Sequence, residues 1–224
     1  MSDPDSGEFT DLSNPNAPVR GYLRRSSHSA ADCLILTHGA GANCQSLLLT
    51  TLADAFCNAG LTVLLCDLPF RQSRPHGPPP RGSADRDQEG LRAAVEAMRK
   101  LEGGRVFLGG HSYGGRQATM LAASTQHLVE CLLLLSYPLH PPERPAELRT
   151  KHFAALHTPA LFVSGTRDGF GTIAEMESAL SQIPAHTELL PILNTGHELI
   201  PRRNREEFSA EVVSRFLSFL NTIG

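Results

Sequence analysis

Val106-Phe107-Leu108-Gly109-Gly110-His111-Ser112-Tyr113-Gly114-Gly115 is the stretch on which the reading of this sequence turns. Val106–Leu108 is a short aliphatic run of strand type, and a helical pattern follows over Gly114–Ala123. Between them stands Gly110-His111-Ser112-Tyr113-Gly114, a G-x-S-x-G pentapeptide. A serine held on a sharp strand-to-helix turn needs small residues two positions to either side, because strand and helix approach closely there. The N-terminus of the next helix favours negative charge developing beside Ser112. The plain alternative is a glycine-rich turn with an idle serine. With 19 glycines in the chain, the bare pattern says little, and its position at a strand–helix junction carries the weight.

Working outward, short apolar runs alternate with amphipathic segments. Val19–Leu23 and Cys33–Thr37 read as strands joined by a polar turn around Ser26–Ser29. Ser46–Ala59 reads as a helix stopped by Gly60, and Leu61–Cys66 as a buried parallel strand. A Pro/Arg-rich loop, Pro69–Gly82, precedes a second helix marked by Leu91, Ala94, Val95 and Met98. Val129–Leu135, Ala160–Ser164 and Thr187–Leu190 read as strands, and Thr172–Gln182 as a helix. A last helix opens at Asn204 and Glu207 in capping-box spacing and continues through Phe208, Val212, Phe216 and Leu220. Such alternation predicts an α/β fold, a mainly parallel twisted sheet with helices on both faces. One domain over 19–224 is expected, preceded by a flexible or edge segment over 1–18. In sheets of this kind chemistry sits beyond the carboxyl ends of the strands.

A serine hydroxyl becomes a useful nucleophile when an imidazole takes its proton and an acid fixes the imidazole's tautomer. The chain order for this turn is Ser, then Asp or Glu, then His, each after a later strand. Asp168 follows the strand Ala160–Ser164 within Gly165-Thr166-Arg167-Asp168-Gly169. His197 follows the last strand within Asn194-Thr195-Gly196-His197-Glu198. His140, His152, His157 and His186 follow the wrong strand or precede one. The bland readings are a turn aspartate and a polar residue before a helix, and Glu198 reads as a solvated side chain.

An oxyanion hole needs two backbone N–H groups aimed at the developing charge. Tyr113, after the nucleophile, is one candidate, and Ala40 or Gly39, in the loop His38–Asn43 after a strand, is the other. His38 reads as a brace for that loop rather than a proton carrier. The same loop offers a decoy, because Gly39-x-Gly41 followed by Asp67 imitates a dinucleotide-binding unit. Cys44 stands where the third glycine would fall, and that reading leaves Ser112, Asp168 and His197 without a role.

Composition excludes other classes. The 224 residues are 41% hydrophobic and 19% charged, with 20 Lys+Arg against 23 Asp+Glu and a net charge of −3. Nucleic-acid binding by a basic surface is not expected from that balance. Apolar runs such as Cys131–Leu135 fall far short of the roughly 18–20 residues of a membrane span. Met1–Pro18 lacks the basic and apolar regions of a secretory signal. The five cysteines include no C-x-x-C pair and read as reduced core residues, so a cytoplasmic protein is expected. No H-E-x-x-H or i,i+4 histidine pair occurs, and neither metal nor cofactor is expected.

On these motifs the chain resembles the α/β-hydrolase superfamily from Val19 to Gly224. Leu36–Asn43, Gly109–Arg116, Ser136–Pro142 and Gly165–Asp168 resemble a dienelactone-hydrolase-like subgroup. That subgroup includes testis-expressed protein 30 and the third regulatory subunit of the NSL acetyltransferase complex. The resemblance implies a lidless hydrolase core with Ser112, Asp168 and His197 in the triad positions. Dienelactone hydrolases proper carry cysteine where Ser112 stands. The expected activity is a serine hydrolase of small carboxylic esters or thioesters. A non-catalytic interaction module of the same fold is the alternative, since some relatives act as complex subunits.

Overall fold

A computed structural model of the chain describes residues 7–27, 31–201 and 203–223. Its frame is one eight-stranded sheet. In chain order the strands are β1 (Gly7–Asp11), β2 (Val19–Arg24), β3 (Cys33–Thr37), β4 (Thr62–Cys66), β5 (Val106–His111), β6 (Cys131–Leu135), β7 (Ala160–Gly165) and β8 (Thr187–Ile192). They lie in the order β1-β2-β4-β3-β5-β6-β7-β8. β1 and β2 are antiparallel to their neighbours, and all the later pairings are parallel.

The central strands are buried on both faces, so they are aliphatic without a break and their side chains divide by parity. In β3, Leu34 and Leu36 point into one core with Leu49, Phe56 and Phe216, while Cys33 and Ile35 point into the other with Leu91, Met98 and Leu121. Helices α1 (Leu47–Asn58) and α6 (Arg205–Ile223) pack against each other over the first core. The second core is covered by the short α2 (Pro69–Ser73), by α3 (Ala84–Leu101) and α4 (Tyr113–Ser124), and by α5 (Ile173–Leu180). Full burial pushes the thiols of Cys33 and Cys66 up to about 12, which leaves them unreactive.

Several boundaries differ from the sequence reading. The Pro/Arg-rich stretch contains α2, which starts with Pro69 at a position where a missing N–H costs nothing. The segment between β6 and β7 holds one 3₁₀ turn, Phe153–Ala155, as its only helical element and builds no lid. Asn204 does not cap α6 by accepting a backbone N–H; its side-chain amide donates to the Glu207 carboxylate. The capping box belongs to α5, where Thr172 and Glu175 bond reciprocally. The turn expected around Ser26–Ser29 runs into residues 28–30, outside those described.

Candidate active site

The pentapeptide forms the turn its spacing implies. β5 runs on to His111 and α4 begins at Tyr113, which leaves Ser112 alone at the apex with φ 51° and ψ −112°. A non-glycine residue at positive φ is strained, and here strain sits on the candidate nucleophile. The flanking glycines permit it. A Cβ at Gly110 would lie 2.7 Å from backbone atoms of Gly114 and Gly115, and one at Gly114 would lie 2.6 Å from the His38 carbonyl. Neither backbone can yield.

Asp168 and His197 lie in the loops after β7 and β8, at the same carboxyl end of the sheet. The structure brings both to Ser112. His197 Nε2 is 2.8 Å from Ser112 Oγ, and His197 Nδ1 is 2.9 Å from Asp168 Oδ2. Asp168 is buried and also accepts the Phe170 N–H at 2.8 Å. With Nδ1–H donating to a carboxylate, the lone pair of Nε2 faces the serine hydroxyl. Two aromatic contacts fix the plane of this imidazole. Phe170 stacks on it with centroids 4.0 Å apart, and His111 lies against it at 5.4 Å. His111 Nε2–H donates to the His197 carbonyl at 2.8 Å; burial keeps its ring neutral by lowering its pKa.

The loop after β3 is held from behind. His38 is buried, its Nδ1–H donates to the Gly39 carbonyl at 2.8 Å, and its Nε2 accepts the Leu68 N–H at 3.2 Å. Desolvation lowers its pKa, so the ring is neutral and the carboxylate of Asp67, 3.3 Å away, does not form an ion pair with it. Because a trans peptide sets C=O and N–H on opposite sides, turning the Gly39 carbonyl toward His38 turns the Ala40 N–H the other way. The loop passes close to the serine: a Cβ on Gly39 would lie 3.4 Å from Ser112 Cβ. The geometry therefore favours Ala40 over Gly39 as a donor beside Tyr113, whose N–H is one of those a helix start leaves unpaired. Asp67, the acid of the dinucleotide imitation, accepts the Cys44 N–H at 2.8 Å.

Arg71, which the sequence reading left in the Pro/Arg-rich stretch without a role, is buried and grips this loop. It donates to the carbonyls of Ala40 and Ala42, and to those of Arg74 and Gly77. No local pattern announces such a contact across some thirty residues. Tyr113 is anchored as well, its hydroxyl donating to the buried Asp87 at 2.8 Å. The four histidines weighed against His197 lie elsewhere. His140 is 3.5 Å from Glu175, His152 bonds Thr119, His186 stacks on Phe219, and His157 lines a different cavity.

Ser112 and His197 open on a cavity of about 480 Å³, lined also by Gly39–Ala42, Tyr113, Pro138 and Phe170. Its charged lining residues are Arg116, Arg149 and Glu198. Chemically, the arrangement can deprotonate a hydroxyl and hold a developing oxyanion.

Known structures share this architecture. Dienelactone hydrolase from Anabaena variabilis superposes with a TM-score of 0.73 at 19% identity, over 95% of this chain and 98% of that one. Est1E from Butyrivibrio proteoclasticus gives 0.75 at 17% identity, over 96% and 100%. XC6422 from Xanthomonas campestris, described as a serine hydrolase without a lid, gives 0.70 at 19% identity, over 96% and 97%. At these identities the likeness shows a common fold. The family model for the alpha/beta hydrolase domain matches residues 30–222, nearly the whole chain, and the protein belongs to that family.

Proposed function

We propose that the protein is a serine hydrolase that cleaves a small carboxylic ester or thioester through an acyl-enzyme on Ser112. The observation that carries this reading is the hydrogen-bonded chain Ser112–His197–Asp168 at the floor of an open cavity. In the first step His197 Nε2 takes the Ser112 proton as Oγ bonds to the substrate carbonyl carbon, and Asp168 stabilises the imidazolium. The N–H groups of Tyr113 and Ala40 hold the carbonyl oxygen as it becomes an oxyanion. Collapse expels the alcohol or thiol, which receives the proton from His197. A water molecule, deprotonated by the same imidazole, then releases the acid and restores Ser112. Nucleophile, base and oxyanion donors all belong to the chain, so the cycle requires no cofactor.

Stopped-flow mixing with 4-nitrophenyl acetate tests the two-step course. A burst of nitrophenolate close to one equivalent, followed by a slower steady rate, is expected. Turnover that survives in Ser112→Ala at the wild-type rate refutes the proposal.

A further inference from the structure

Among the described residues, six of this protein's 18 arginines lie against carboxylates. Arg24, Arg25, Arg92, Arg105, Arg144 and Arg215 each lie within 4 Å of an Asp or Glu oxygen. The two arginines in the wall of the Ser112 cavity do not: neither Arg116 nor Arg149 has such a partner among the described residues. Arg116 sits one turn after Ser112 on α4, on the same side of the helix. Its Nε is buried and has no hydrogen-bond acceptor. Arg149 spends one Nη1 donor on the Pro138 carbonyl at 3.2 Å, and Pro138 itself lines the cavity. The two cations feel each other: burial first, and then the charge of Arg116, pull the Arg149 guanidinium below its ordinary range. Glu198, the carboxylate on the lining, is exposed and lies within 4 Å of neither guanidinium.

Two like charges partly removed from water, with donors to spare, are unfavourable unless an anion joins them. A guanidinium presents paired donors that match the oxygens of a carboxylate or a phosphate. We infer that Arg116 and Arg149 form an anion-binding subsite beside Ser112, and that the substrate is a short ester or thioester carrying a second, ionised oxyacid group. The inference rests on the hydrolase reading and narrows its substrate class. A cavity of about 480 Å³ limits the distance between the scissile carbonyl and the anion to a short chain.

The test compares mono-4-nitrophenyl glutarate with its methyl-capped neutral ester, and with the 4-nitrophenyl ester of 3-phosphonopropionate, each corrected for spontaneous hydrolysis. Wild-type kcat/KM is expected to favour an anionic ester over the neutral one by about tenfold or more, as one charge-assisted hydrogen bond allows. Whichever anionic ester is faster names the oxyacid. In Arg116→Gln and Arg149→Gln the anionic-to-neutral ratio should fall about tenfold, and Arg149→Lys should recover part of it. Arg144→Gln, outside the cavity, should leave the ratio alone. Reading the ratio within each variant cancels any general loss of folding or activity. Equal rates on charged and neutral esters, both abolished in Ser112→Ala, overturn this inference and leave the hydrolase reading standing. If no ester is turned over, calorimetry with monomethyl glutarate decides: binding that Arg149→Gln removes upholds the subsite, and absence of binding overturns it.

Discussion

Arg71→Met should weaken the fold moderately and slow turnover much more than it weakens substrate binding. Arg71 is 5% exposed, and its guanidinium donates to Ala42 O at 2.7 Å and to Ala40, Arg74 and Gly77 O at 2.9 Å each. Arg74 and Gly77 are exposed, so water replaces the donor there at small cost. Ala40 and Ala42 are half-buried, and methionine fills the stem without supplying a donor. Two charge-assisted bonds at about 1.5 kcal/mol or more each put the loss near 3 kcal/mol. With a slope of about 2–3 kcal/mol/M the urea midpoint should drop by roughly 1 M. Deleting an oxyanion donor costs about 10²–10³ in kcat; displacing one should cost ~10–100-fold. KM for 4-nitrophenyl acetate should stay within about threefold, the signature of an interaction made in the transition state. Arg71→Lys, with a compact ammonium, should recover only part. A midpoint shift of this size with kcat unchanged would show that the loop holds its shape without Arg71. An unchanged midpoint would show that the four bonds contribute nothing.

Three further outcomes are expected. The segment from Tyr137 to Pro159 holds only the turn Phe153–Ala155 and gives long acyl chains little to pack against. Nitrophenyl ester rates should therefore peak at two to four acyl carbons and show no jump at micelle formation. A steady rise to long chains, at about 0.8 kcal/mol per methylene buried, would mean an apolar channel exists. Burial and the charge of Arg116 lower the His152 pKa to about 4, so between pH 6.5 and 4 the unfolded chain takes up a proton that the native state refuses. Urea titrations should then show stability falling with pH below 6.5, the share of His152 being less than about 1.4 kcal/mol per unit because the ring is partly solvated. His38 and His111, also lowered by burial, add in the same direction, and a flat profile in wild type would contradict the assignment. His197→Ala should remove activity, whereas His111→Ala, which loses the bond to the His197 carbonyl, should cost about tenfold; the reverse order would mean the wrong imidazole was chosen.

What the sequence made legible follows from which interactions are local. Unbroken aliphatic runs such as Cys131–Leu135, too short for a helix and bounded by Glu130 and Ser136, read as strands buried on both faces, and the strand–helix turn at Ser112 needs its glycines within two residues. Asp168 and His197 were findable because each directly follows a parallel strand. β1 was not, since Gly-Glu-Phe-Thr-Asp is a largely exposed edge strand held by backbone pairing to β2 and by the single apolar side chain of Phe9, too little to make a hydrophobic pattern. Arg71, Arg116 and Arg149 escaped for a different reason. A charged side chain reads as solvated until the chain's folding decides whether it meets water, a carbonyl or the wall of a cavity.

The most direct test of the central claim is covalent labelling of the folded protein by a fluorophosphonate, read by intact mass and peptide mapping. One adduct on the peptide carrying Ser112 is predicted, absent from Ser112→Ala and greatly slowed in His197→Ala. A folded protein that takes up no label, or one labelled at another residue in Ser112→Ala as fast as in wild type, would contradict the account.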